Sequence, residues 1–251
     1  MNRYLSVFGL SARSTLSKLM IVIFAMAVIQ TGMFLYTLHH TEGIVLLENL
    51  ISQSKIVYVF GVGFLLYYAV LCGISKHISK AVLTMHRLSI KERTANWIGV
   101  LYNAMALIVF LAAELTICLM LCGFYWNSDV SGDYQHVMYT AFYRSDLLHS
   151  LLPMEDYLVL FVNALYVLSL SILAAYMQQQ NRRGKQVFLT AFAAGITCAE
   201  FVQNGNSSGG VLGALLVSML AVFPAGAISK SGALDEDNFY GGEDERYETE
   251  I

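Results

Sequence analysis

Long apolar runs separated by short polar segments set the rhythm of the chain. They fall at about 19–38, 56–74, 97–125, 157–177, 187–202 and 211–228. Runs of this length and hydropathy predict membrane-crossing helices. The expected fold is therefore all-α, a polytopic membrane protein with six spans forming a single transmembrane domain over residues 1–228. The third run is unusually long. If its helix starts at Ile90, the rod measures about 54 Å, against the ~30 Å that a hydrocarbon core needs. The fifth run is the shortest and carries Glu200 near its end.

Before the first run, Tyr4, Leu5 and Phe8 share one side, with Arg3 and Arg13 available to headgroups. This predicts a short interfacial helix over 2–14. The run Leu19–Met33 continues into Phe34-Leu-Tyr and has no suitably placed small-x-small site. It reads as a retained span rather than a signal peptide.

Composition agrees with the pattern. Of 251 residues, 57% are hydrophobic and 13% are charged, where a soluble domain carries about 25% charged residues. Cys72, Cys118, Cys122 and Cys198 all sit in apolar runs without a Cys-x-x-Cys pair. They read as small hydrophobes, not as a disulfide framework or a zinc site. With no basic patch interleaved with aromatics, nucleic acid is not an expected partner.

Charge adds orientation. With the N-terminus inside, all of the 15 lysines and arginines except Lys55 and Arg144 fall in inner segments. That bias places both termini in the cytoplasm. The last stretch, 229–251, holds Asp235, Glu236, Asp237, Glu243, Asp244, Glu245, Glu248 and Glu250 against Arg246. Such a tail cannot bury a core and is expected to be disordered.

The most distinctive polar stretch is Ser75–Arg93, SKHISKAVLTMHRLSIKER. In helical register Ala81, Met85 and Leu88 share one face, while Lys80, Thr84 and Arg87 turn away. Ser89-Ile-Lys-Glu92 reads as a capping box that starts a new helix. The segment is expected to be a cytoplasmic amphipathic helix, a break, and a helix entering the membrane.

Within the spans, Glu114 is the conspicuous group, since a carboxyl inside a membrane is costly and a functional candidate by default. Asn103 and Asn163 are grouped with it as a possible intramembrane polar site, and Gln30 is a further candidate partner. The outer loop 126–156 carries Asp129, Asp133, His136, Asp146 and His149, but without His-x-x-x-His or His-Glu-x-x-His spacing. No metal site is expected there. Within it, Ala141–Pro153 is apolar enough for an amphipathic helix at the outer interface. Motifs of intramembrane hydrolases and a phosphate-binding loop are absent, so no catalytic residues are assigned. The two halves show no internal repeat of the kind found in inverted-repeat carriers.

Six spans, a cytoplasmic N-terminal helix and an amphipathic helix before a long third span resemble the permease subunits of bacterial type-2 ABC exporters. The closest phrase is Leu83-Thr-Met-His-Arg-Leu-Ser-Ile-Lys-Glu-Arg93, and AFYRSDLLHSLLP is also similar to small bacterial permeases. The large outer excursion lies between spans three and four here, where many family members carry it between five and six.

The resemblance implies a transport subunit, itself not an enzyme, in a bacterial cytoplasmic membrane. ATP and Mg would sit on a separate ATP-binding subunit, with no cofactor on this chain. A second permease, identical or different, would complete the pathway among the lipids. The apolar face of Ala81, Met85 and Leu88 would enter a groove of the ATP-binding subunit, with Lys80, Arg87 and Lys91 pairing acidic residues at its rim. Two other classes stay open. One is a sensor or assembly protein acting through its acidic tail, and the other a proton-coupled carrier using Glu114.

Overall fold

The computed structural model of the chain describes residues 3–41, 45–73, 92–128, 144–151, 157–182, 189–203 and 207–230. Among these residues every regular element is an α-helix. Lys80, Ala81, Met85, Arg87, Leu88 and Lys91 lie outside the described residues, as do the Ser89 cap, most of the outer loop and the acidic tail beyond Lys230.

Helix α1 runs unbroken from Arg3 to His40, 38 residues. The interfacial helix expected over 2–14 and the span at 19–38 are thus one rod, about 57 Å long. No proline or glycine pair interrupts the sequence at the expected junction, and Phe8 packs edge-on against Tyr102 with ring centroids 5.4 Å apart. The Thr15 and Tyr102 hydroxyls are hydrogen-bonded as well. At Phe8 and Thr15 the amphipathic part of α1 therefore packs against Tyr102.

The second expected span has a different form. A short helix α2, Leu47–Gln53, precedes α3, Ile56–Leu71, and the two are bent by 57°. Lys55 sits at the break with φ 54, the left-handed region that side chains beyond glycine seldom adopt. Leu47, Leu50 and Ile51 turn inward from α2, which is the i, i+3, i+4 spacing of one helical face.

Helix α4, Glu92–Trp126, contains the long third expected span. A short helix α5, Asp146–Leu151, occupies part of the expected outer-interface stretch and buries Leu147 and Leu148. Helix α6, Tyr157–Arg182, contains the fourth expected span. Helix α7, Leu189–Gln203, has 15 residues, and α8, Ser207–Lys230, carries Pro224 inside it. The final turn of α8 takes up Ser229 and Lys230, so the tail begins later than the composition change implies.

Among the described residues four helices are long and apolar enough to cross a membrane, and the bent α2–α3 pair makes a fifth if it is one crossing. The remaining expected span coincides with α7, whose apolar part is Thr190–Ala199. A helix of 15 residues rises about 22 Å, short of the ~30 Å hydrocarbon core. Large apolar side chains point outward around the bundle, among them Phe24, Phe161, Phe192, Met219 and Phe223. Such an apolar exterior fits lipid as the surrounding medium.

The core is centred on α3. Phe60, Phe64 and Tyr67 surround Phe110 of α4, with ring centroids 4.6–5.9 Å apart. Tyr67 donates to the Ala106 carbonyl at 2.7 Å and Tyr68 to the Leu170 carbonyl at 3.2 Å. Both phenol groups thereby find buried acceptors on α4 and α6. Gly63 lets α1 come close: a Cβ built there would lie 2.5 Å from the Met26 Sδ and 3.1 Å from its Cγ. Small residues at such crossings allow membrane helices to approach.

Several helix ends meet at one end of the bundle. The start of α4 and the end of α6 share contacts there, and Ile228 near the end of α8 packs with Val100 and Ala175. At the other end, Tyr125 near the close of α4 donates to the Val45 carbonyl at 2.9 Å, just before α2. Helix α7 connects the two levels. Thr190 donates to the Met177 sulfur at 3.3 Å, and Cys198 donates to the Gly61 carbonyl at 3.5 Å.

Candidate functional site

Two polar layers lie inside the bundle, at different heights on α4. Glu114 and Gln30 form one, and both are fully buried. Gln30 Nε2 donates to Glu114 Oε1 at 2.8 Å, joining α1 to α4. One turn on, the Cys118 thiol donates to the same oxygen at 4.0 Å. Gln30 Oε1 and Glu114 Oε2 are buried without a hydrogen-bond partner. Cys118 and Cys122 also line a cavity with Leu47, Ile51, Ile56, Leu121, Leu147 and Leu148. That lining offers little to a polar ligand.

The second layer begins at the end of α3. Cys72 N bonds the Tyr68 carbonyl at 2.9 Å and Gly73 N bonds that of Val70 at 3.1 Å. Gly73 has φ 71, a left-handed helix ending for which glycine carries no Cβ penalty. The last carbonyls then need donors from elsewhere, and α6 supplies them. Gln178 Nε2 donates to the Leu71 carbonyl at 2.6 Å, and Asn181 Nδ2 donates to that of Cys72 at 3.1 Å. Residues 178 and 181 are one helical turn apart, so both amides reach the same helix end.

Gln178 Nε2 also donates to Asn103 Oδ1 at 3.2 Å, and Asn103 Nδ2 reaches the Ser171 carbonyl at 3.5 Å. One amide group thus touches the end of α3 and the first third of α4. Gly99 lies beside it, with its would-be Cβ 3.8 Å from Gln178 Oε1.

Of the residues grouped from sequence, Asn103 is therefore set apart from Glu114. Asn103 belongs to the second layer, about 16 Å along α4 from Glu114 at 1.5 Å per residue. Asn163 is half-buried on α6, and the hydrogen-bond partners of Glu114 are Gln30 and Cys118. Of the candidate partners weighed for Glu114, Gln30 is the one that reaches it. Gln178 and Asn181 were not singled out, although the amide run Gln178-Gln-Gln-Asn181 at the end of an apolar stretch marks them. Among the described residues no group of three or more His, Cys, Asp or Glu side chains could hold a metal ion.

No protein-family model, curated protein or solved structure matches the chain.

Proposed function

We propose that the chain is the membrane subunit of an ATP-driven transporter, acting with a separate ATP-binding subunit, and that its direction is export. The observation that carries this reading is the double role of Gln178. The basic segment leaves from Gly73 and returns at Glu92, and Gln178 bonds the Leu71 carbonyl before it and Asn103 after it. A loop whose two roots are joined through one side chain suits a handle, because displacement of the loop moves α3, α4 and α6 together. An unanchored, solvated loop would need no such brace.

The handle itself would be the amphipathic stretch. Ala81, Met85 and Leu88 would seat in an apolar groove of the ATP-binding subunit, and Lys80, Arg87 and Lys91 would meet acidic residues at its rim. ATP and Mg would be held by that subunit, and a second permease, the same or another chain, would form the other wall of the pathway.

In this reading the bundle crosses a bacterial cytoplasmic membrane six times with both ends inside. Lysines and arginines support the orientation, since Lys55 precedes α3 and Arg144 pairs with Glu48 of α2, both away from the end of α3 where the basic segment leaves. The path of α7 supports the sixth crossing, because it starts beside Met177 and reaches Gly61. Local thinning of the bilayer around a short helix makes such a crossing feasible.

The test is affinity isolation of the tagged full chain from its host membrane in mild detergent, with mass spectrometry of what accompanies it. The reading expects a subunit carrying a Gly-x-x-x-x-Gly-Lys-Ser/Thr loop, lost when Met85 and Leu88 are both replaced by Asp. Isolation of the chain without such a subunit contradicts it.

A further inference from the structure

The Glu114–Gln30 pair contains one donor too few. Gln30 supplies an N–H to Glu114 Oε1 at 2.8 Å. That leaves two acceptor oxygens, Gln30 Oε1 and Glu114 Oε2, sealed from solvent with nothing to accept from. An ionised carboxylate in this position would need several donors or a cation to offset its lost hydration. Among the described residues the other hydrogen-bond donor to the carboxyl is the Cys118 thiol, at 4.0 Å. Cys118, one turn along α4, is thus a titratable side chain in contact with the carboxyl. The ion pair among the described residues, Arg144 with Glu48, involves neither member of the pair.

We propose that Glu114 is a proton-binding residue whose carboxyl is held as the neutral acid, with the proton on Oε2 donated to Gln30 Oε1. The acid offers one O–H and one carbonyl oxygen, and the amide meets them with its carbonyl oxygen and one of its two N–H groups, so the orphaned oxygens satisfy one another. The result is a two-bond bolt between α1 and α4 in the middle of the bundle. The proton comes from water and returns there, with no other reactant needed. When it leaves, the pair holds a buried charge and two oxygens without donors, and of its two bonds between α1 and α4 only that from Gln30 Nε2 to Glu114 Oε1 remains. The inference concerns these two side chains and stands apart from the identity of any partner subunit.

Infrared difference spectroscopy of the purified full chain in lipid nanodiscs at neutral pH, with isotope-labelled glutamate, tests it. The wild-type-minus-Glu114→Gln spectrum is expected to contain a carboxylic-acid carbonyl band, and Gln30→Leu is expected to shift that band. Carboxylate stretches in place of the acid band overturn the proposal, and an acid band indifferent to Gln30→Leu overturns the bolt. Thermal unfolding adds a second readout. Glu114→Gln keeps one donor and one acceptor on each side and is expected to hold the wild-type midpoint, while Gln30→Leu lowers it. A fall with Glu114→Gln as large as with Gln30→Leu counts against the neutral acid. Stabilisation by sodium over choline that disappears in Glu114→Gln would assign the two oxygens to a metal cation and overturn the proton.

Discussion

Gln178 bonds the Leu71 carbonyl at 2.6 Å, across 107 positions of sequence. The donor comes from near the end of α6, and the acceptor is one of the carbonyls that α3 cannot satisfy itself. Away from bulk water, such a carbonyl is costly to leave unpaired. Gln178→Leu should therefore lower stability by roughly 0.6–2 kcal/mol, the range for hydrogen bonds between membrane helices. Thermal unfolding in detergent checks this. An unchanged midpoint would mean that Leu71 and Asn103 find other partners.

Aromatic packing around α3 gives a larger effect. Phe110 is fully buried among Phe60, Phe64 and Tyr67. Phe110→Ala is expected to cost about 3–5 kcal/mol through the cavity it leaves. Tyr67→Phe removes a hydroxyl that donates to the Ala106 carbonyl, and should cost nearer ~0.6 kcal/mol. The ordering of the two variants in a denaturation series is the check.

The crossing of α1 over α3 depends on Gly63. A larger side chain meets the Met26 side chain, whose Sδ lies 2.5 Å from the position of a Cβ. Gly63→Leu should destabilise by about 1–3 kcal/mol as an overpacked contact. Met26→Ala should return part of that loss in the double variant. Additive effects of the two changes would place the strain elsewhere.

Orientation can be read by labelling. Single cysteines replacing Lys55 and Arg144, in a background without the four native cysteines, should react in intact cells with an impermeant maleimide. A cysteine replacing Lys230 should react only after the cells are opened. Labelling of position 230 from outside would require an odd number of crossings.

The acidic tail separates the transporter from the sensor. Removal of residues 231–251 should leave both the unfolding midpoint and the association with an ATP-binding subunit in place. Loss of function from this deletion, with Met85→Asp and Leu88→Asp silent, would favour a tail that recruits a partner.

Much of this architecture was legible from hydropathy, because a lipid-facing helix must be apolar over its whole length. The runs at 97–125, 157–177 and 211–228 correspond to α4, α6 and α8 with little change. The bend at Lys55 was not legible. It rests on one left-handed residue and on a seven-residue helix, and the period of Leu47, Leu50 and Ile51 is its sole trace. The continuity of α1 was missed because amphipathic and apolar segments suggest two environments, whereas Phe8 and Thr15 bury against Tyr102. At the polar sites, composition flagged Glu114 but not its height relative to Asn103. A residue type tells that a partner is needed, while helix packing decides that it is Gln30.

The most direct measurement is ATP hydrolysis accompanying the purified full chain, compared with the Met85→Asp, Leu88→Asp double variant. The account predicts vanadate-sensitive hydrolysis with the wild type and its loss in the variant, with the variant still inserted and at its normal unfolding midpoint. A wild-type preparation without hydrolysis, or a double variant that retains it, would contradict the basic segment as the grip of an ATP-binding subunit.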